Sequence, residues 1–222
     1  MTRAKLIALI VLAGLSTFVL DKAVTAAIVI PDPLVDESLA IAKGERVAVL
    51  AGGCFWGVEA VFEHVKGVRD VVSGYSGGSP SDAEYRAVSS GRTGHAESIQ
   101  IKYDPSEITY GKLLKVFFSV AHDPTELNRQ GPDVGTQYRS AIFFGDEEQK
   151  RIASAYVEQL NKAKVFKHKV VTQLVNLKAF YIAEPYHQDF VNINPNHPYV
   201  MFHDLPKLSK LRKEFPDLYI GK

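Results

Sequence analysis

Residues 47–67 read Val47-Ala48-Val49-Leu50-Ala51-Gly52-Gly53-Cys54-Phe55-Trp56-Gly57-Val58-Glu59-Ala60-Val61-Phe62-Glu63-His64-Val65-Lys66-Gly67. The apolar run Val47 to Ala51 stops at two glycines, the pattern of a short buried strand. After them Val58, Val61, Phe62 and Val65 recur at helical spacing, and Gly67 closes the segment. Strand, glycine turn and helix put Cys54 at a helix N-terminus. Free N–H groups and the positive end of the helix dipole favour a thiolate there, and the thiolate is the nucleophilic form. The glycines permit a tight turn and close approach of a ligand, with Phe55 and Trp56 beside the thiol as walls for a small apolar pocket. The competing reading is a free cysteine buried at a strand end, which is common for that residue. Glycines on both sides and the sole tryptophan alongside weigh against it.

Further along, Val68 to Tyr75 reads as a second strand that runs into the turn Gly74-Tyr75-Ser76-Gly77-Gly78. From Glu97 to Tyr103 the chain alternates, with Ile99, Ile101 and Tyr103 on one face and Gln100 and Lys102 on the other. Leu113, Leu114, Phe117 and Phe118 mark a helix over 110–120. Residues 138–144 are a strand candidate, 146–162 a long amphipathic helix, and 170–177 again extended. The tail, with Pro206-Lys207-Leu208 and Phe215-Pro216-Asp217, reads as a short helix and surface packing. Interspersed strands and helices with short connections predict a mixed α/β domain.

The chain has 222 residues, 46% of them hydrophobic and 23% charged, with a formal net charge of +1. That length accommodates one packed domain plus a targeting segment, and the charge excludes a large basic footprint for nucleic acid. Thr2-Arg3-Ala4-Lys5, the uncharged run Leu6 to Leu20 and the small residues Ala23 to Ala27 match a secretory signal peptide, with cleavage after Ala26 or Ala27. The alternatives are an uncleaved membrane anchor and a buried helix; the run is shorter than the roughly 20 residues that span a bilayer. We therefore expect a signal or anchor over 1–27, a linker over 28–46 and the functional domain over 47–222. The protein is expected to be exported, periplasmic or secreted, and at a membrane only if the segment stays uncleaved. A single cysteine cannot form an internal disulfide.

Other candidates follow from pattern. Glu97, in Gly94-His95-Ala96-Glu97, is in phase with Ile99, Ile101 and Tyr103, which turns its carboxylate toward the apolar face. Desolvation there raises a carboxyl pKa and makes it a proton donor near neutrality. The alternative has Glu97 at the strand edge, facing water or pairing with Arg92. The polar, glycine-rich stretch 131–140 offers Asp133 and Tyr138 at a strand's mouth; ordinary turn chemistry is the bland reading. Tyr85 is ambiguous alone. His95, His122 and His187 read first as hydrogen-bonded structural residues. No pair has metal-site spacing, and one cysteine cannot build a Cys/His zinc cluster; no metal and no cofactor are expected.

Together these blocks resemble the A-type peptide methionine sulfoxide reductases. Gly52 to Gly57 looks like that family's signature hexapeptide, and Gly94–Glu97, His122-Asp123-Pro124-Thr125 and the stretch from Asn128 through Ser140 match its other blocks in order. The resemblance covers about residues 47–200. It implies a two-layer α+β sandwich with a mixed sheet and flanking helices around a ferredoxin-like core. It implies that Cys54 attacks the sulfur of methionine S-sulfoxide, free or in proteins, that Glu97 protonates the oxygen, and that Tyr85 and Tyr138 hydrogen-bond it. Asp133 matches a residue organising the polar side, and Phe55 and Trp56 match the pocket around the methyl group. The product on the enzyme is a cysteine sulfenic acid. Many relatives carry resolving cysteines, but this tail has none and Ser89 stands where some relatives have a thiol. The expected reductant is an external thiol: a thioredoxin- or glutaredoxin-like protein, or glutathione. Two rival activities are a cysteine hydrolase using His95 or His187, and a methionine-binding scaffold without turnover.

Overall fold

The computed structural model describes residues 30–221; the expected signal or anchor segment over 1–27 lies outside them. The elements, in chain order, are β1 (Arg46–Gly52), α1 (Phe55–Glu63), β2 (Val68–Ser76), the short α2 (Tyr85–Val88), β3 (Ala96–Tyr103), α3 (Tyr110–Val116), β4 (Arg129–Gln130), β5 (Asp133–Val134), β6 (Ser140–Phe144), α4 (Glu147–Lys162), β7 (Gln173–Asn176), β8 (Phe180–Ile182), α5 (Phe190–Ile193) and α6 (Leu205–Glu214). Six strands make one sheet in the order β7-β6-β1-β3-β2-β8, and β4 pairs with β5 as a separate ribbon. Only β6 and β7 run parallel; the other neighbours are antiparallel. The sheet is mixed, as expected.

β1 is interior and buried from Ala48 onward. A strand covered on both faces shows a continuous apolar run instead of alternation, which is why 47–51 reads as it does. Leu50, Ile99, Ile101, Tyr103 and Ile142 face the helices and join Val58, Phe62, Leu113, Phe117, Ile152 and Tyr156 in the main core. A smaller cluster of Val49, Ala51, Ala141 and Phe143 covers the opposite face. Pairing Leu50 with Ile99 brings Glu97 level with Gly52, while Gly52 pairs with Ser140 and Tyr75 with Glu97. The last residues of β1 and β2 and the first of β3 and β6 thus meet at one end of the sheet. That end carries the site.

The segment before β1 lies along the helices. Tyr156 donates to the Pro31 carbonyl at 2.7 Å, and Ile30 is buried. Asp36 accepts from the Thr109 hydroxyl at 2.6 Å and the Gly111 N–H at 2.8 Å, and Thr109 itself caps α3 by accepting from Lys112 N–H. The first turn of α3 therefore depends on a carboxylate distant in sequence. Asp36→Ala is expected to destabilise the chain by about 1–2 kcal/mol, the usual cost of losing a helix cap; urea unfolding measures it, and an unchanged midpoint would refute the cap. Beyond α3 the backbone widens to a π turn over Phe117–Ala121, so the helix read over 110–120 is regular only to Val116. Among the described residues no helix is long and apolar enough to cross a membrane.

Candidate active site

Cys54 occupies the N-cap position of α1. It gets there because Gly53 takes φ +93°, a left-handed value costly for other residues, and because a Cβ on Gly53 would lie 2.5 Å from the Gln130 side chain. Gly57, one turn into α1, leaves room for Asp204 and Lys207: a Cβ there would sit 2.1 Å from the Asp204 carboxylate. The hexapeptide glycines thus admit the β4 strand on one side and the start of α6 on the other.

The thiol is nearly covered, at 9% exposure. Cys54 makes no side-chain cap hydrogen bond, and its pKa lies well above the ordinary value. Burial is the main cause, followed by the Glu97 and Asp204 carboxylates; the Trp56 N–H and the Lys207 ammonium pull the other way. The expectation that the helix start holds a resting thiolate is therefore overturned. The dipole acts at the right place, but desolvation exceeds it.

Glu97 does face the apolar side. It is 2% exposed and accepts the Phe55 N–H at 3.1 Å, the first helical residue after the thiol. Burial pushes its pKa up to about 8, with the Phe55 N–H opposing and the Asp133 charge adding to the rise. The alternative of a solvent-facing Glu97 does not hold. Tyr85 starts α2, where Glu184 accepts its backbone N–H at 2.8 Å and the Tyr75 hydroxyl at 2.8 Å. The Tyr85 and Tyr138 phenols both have raised pKa values, through burial first and then the Glu97 charge, with Cys54 adding to each. Both remain protonated donors around the same acid and thiol. Asp133 accepts the Tyr199 hydroxyl.

Phe55 is buried, its ring 4.9 Å from His187 and 5.9 Å from Tyr75. Trp56 is half-buried, stacked on Phe190 at 3.7 Å with Tyr199 edge-on at 5.9 Å. All seven residues singled out from sequence converge on one end of the sheet. Tyr199, Phe190 and the Asp204–Lys207 pair were missed; they lie in the tail, where no motif flags them, and His187, read from the sequence as a structural histidine, joins them beside Trp56. Of the three histidines, His95 holds Gly78 N–H and the Ser79 carbonyl, and His122 bonds Ser140 Oγ at 2.7 Å, its pKa lowered by burial to about 3. His187 Nδ1 accepts the Trp56 indole N–H. With both His95 nitrogens bonded and the His187 Nδ1 lone pair taken by the indole, the geometry gives a hydrolase base no support. Among the described residues no group of three or more His, Cys, Asp or Glu side chains is placed to hold a metal ion.

A lone thiol at the start of α1, opposite a carboxyl protonated near neutrality and flanked by two phenols and an indole, has the parts of a cysteine-based redox site, and the domain that carries it is ferredoxin-like α+β. The family model for peptide methionine sulfoxide reductase matches residues 46–218. A peptide methionine sulfoxide reductase MsrA 2 of Mesorhizobium japonicum is 58% identical over 181 residues, 82% of this chain and 93% of that protein. One from Synechocystis is 57% identical over 191 residues, 85% of this chain and 89% of the relative. Among solved structures, reduced Mxr1 from Saccharomyces cerevisiae aligns with a TM-score of 0.61 at 35% identity, covering 73% of this chain and 91% of that one. Methionine sulfoxide reductase A of Corynebacterium diphtheriae gives 0.59 at 33% identity, covering 69% and 77%. The chain belongs to the peptide methionine sulfoxide reductase family. It is an oxidoreductase of the A type, a peptide-methionine (S)-S-oxide reductase.

Proposed function

We propose that Cys54 reduces the S epimer of free and protein-bound methionine sulfoxide through a sulfenic acid, and that an external thiol regenerates it. The observation that carries this reading is Glu97, a buried carboxyl with a pKa of about 8, tied to the first N–H of the helix that starts at the thiol. A sulfoxide oxygen leaves poorly until it takes a proton. With Glu97 donating, and Tyr85 and Tyr138 hydrogen-bonding the oxygen, the Cys54 sulfur attacks the substrate sulfur. Thiol and sulfoxide go in; thioether leaves, and the oxygen stays on Cys54 as Sγ–OH. The proton lost by Cys54 replaces the one Glu97 gives up, so the site's proton count is unchanged.

Regeneration takes two thiols from outside, since the chain has one cysteine. The first displaces water from Sγ–OH and forms a mixed disulfide; the second releases the Cys54 thiol and a disulfide product. A thioredoxin- or glutaredoxin-like protein and glutathione all have the required chemistry. The charged start, apolar run and small residues ahead of Ile30 support export of the domain, which the mass of the mature N-terminus tests.

The mechanism predicts stoichiometry. Mixed with racemic methionine sulfoxide and no reductant, the protein is expected to release one methionine per chain, consume only the S epimer and then stop. Cys54 becomes reactive to a sulfenic-acid trap such as dimedone, and excess dithiol restarts turnover. Chiral product analysis beside mass spectrometry of the adduct checks this. Binding without methionine release, or consumption of the R epimer, would overturn it.

A further inference from the structure

Trp56 is the chain's one tryptophan, and its indole is held in two different ways. Phe190 stacks on it with planes 8° apart, and Tyr199 meets it edge-on. Ring contacts of this kind leave an indole free to slide and turn in its own plane; a directional hydrogen bond fixes the angle. That bond runs from Trp56 Nε1–H to His187 Nδ1 at 3.1 Å.

His187 is 2% exposed and wedged among Phe55, Tyr85 and Tyr186, with ring centroids 4.9, 4.5 and 4.2 Å away. Because Nδ1 accepts, it carries no proton, and the ring's hydrogen sits on Nε2. Nε2 is buried without a hydrogen-bond partner among the described residues, and Glu184 Oε2 is 4.0 Å from it. Burying a polar ring with one nitrogen unsatisfied costs free energy that an aromatic hydrocarbon would avoid. Packing alone does not account for a histidine here; the bond to the indole does.

We propose that His187 is a positioning residue for sulfoxide reduction: through Nδ1 it fixes the plane of the Trp56 indole, and with it the width of the slot that receives the substrate's methyl group. The inference rests on the reading that Trp56 walls that slot. Only the neutral ring can accept at Nδ1. Burial lowers the His187 pKa from its ordinary value, opposed by the Glu184 charge. Of the other groups facing the ring, Tyr85 from α2 and Tyr186 from its own turn are phenols with raised pKa values, and Phe55 and Trp56 from α1 carry no charge. The bond therefore persists at neutral pH and breaks in acid.

Two substitutions separate the bond from the packing. His187→Phe keeps a ring against Phe55 and Tyr85 but removes the acceptor, while His187→Asn returns an oxygen near the place of Nδ1. With methionine sulfoxide and excess dithiol near neutral pH, His187→Phe should raise KM roughly fivefold at unchanged kcat, the effect of one neutral hydrogen bond. His187→Asn should recover most of that loss. Indole emission supplies a second readout: the wild type steps on acidification, His187→Phe departs from the neutral wild-type spectrum and His187→Asn keeps it, and both variants lose the His187 part of the step, His197 at 6.2 Å from the indole remaining in all three. A KM and emission unchanged in His187→Phe would overturn the proposal, as would equal falls in kcat and melting temperature in both variants with KM unmoved. If saturating dimethyl sulfoxide leaves wild-type emission unaltered while turnover is normal, the slot reading itself falls. If wild-type emission responds and His187→Phe binds as tightly, only the role of His187 falls.

Discussion

Cys54→Ser will abolish reduction of methionine S-sulfoxide, with a loss of at least about a thousandfold in kcat/KM, because removing a covalent nucleophile removes the path and not only a contact. Serine is nearly isosteric, so the melting curve should stay close to wild type, and the loss cannot be ascribed to unfolding. No other thiol exists to substitute. The measurement is methionine release under excess dithiol, read beside substrate binding by Trp56 emission; binding should survive. Retained turnover in Cys54→Ser would end the assignment. The raised pKa of the resting thiol adds a second expectation. Since the folded pKa lies above the ordinary one, the thiol stays neutral through neutral pH, and alkylation by iodoacetamide in the free enzyme should be slow there and climb steadily into the alkaline range. A fast, pH-independent reaction at neutrality would show a resting thiolate and contradict the burial argument.

That contrast marks where sequence reading succeeds and where it stops. The strand, turn and helix around Cys54 were legible because each is a local pattern: an apolar run, two glycines, then 3.6-residue spacing. Glu97 was legible for a related reason, as period-2 alternation fixes which face of β3 it shares with Ile99 and Ile101, and β3 is buried on that face. The charge state of Cys54 was not legible. Its helix-end N–H is local, but the burial that opposes it is built by the whole fold, and the next causes are the charges of Glu97 on β3 and of Asp204, 150 positions downstream of the thiol and fully buried. The tail residues around Trp56 have the same character. Tyr199 reaches Asp133 and His187 reaches the indole only after the chain has crossed the whole sheet. Nothing near Tyr199 distinguishes it from a surface-turn residue, and a lone histidine such as His187 reads as structural, with no sign of its partner. The stretch before β1 shows the limit from the other side, since Asp36 caps α3 across a sequence distance that no periodicity spans.

Glu97→Gln tests the acid directly. Glutamine keeps the size of the side chain and an oxygen able to accept the Phe55 N–H, but it has no proton to give. Loss of a positioned general acid typically costs about 10²–10⁴-fold in rate, and here the loss should fall on kcat. The sign of the pH dependence follows from the shift. Burial raises the Glu97 pKa from 4.5 to about 8, so the donor form is present below about pH 8 and disappears as pH rises through it. Wild-type turnover should fall on that limb, and the residual turnover of Glu97→Gln should not. Stability follows the same sign: between pH 4.5 and about 8 the folded chain holds a proton that the unfolded chain has released, so stability drops as pH rises across that window. Glu59, also with a pKa raised to about 8, shares the slope, so the variant should flatten it without removing it. A third readout runs in the opposite direction. Above pH 8 the ionised Glu97 opposes the Cys54 thiolate, so Glu97→Gln should alkylate faster than wild type there while reducing sulfoxide more slowly. A variant slowed in both reactions has lost the geometry of the site; one slowed only in sulfoxide reduction has lost its proton.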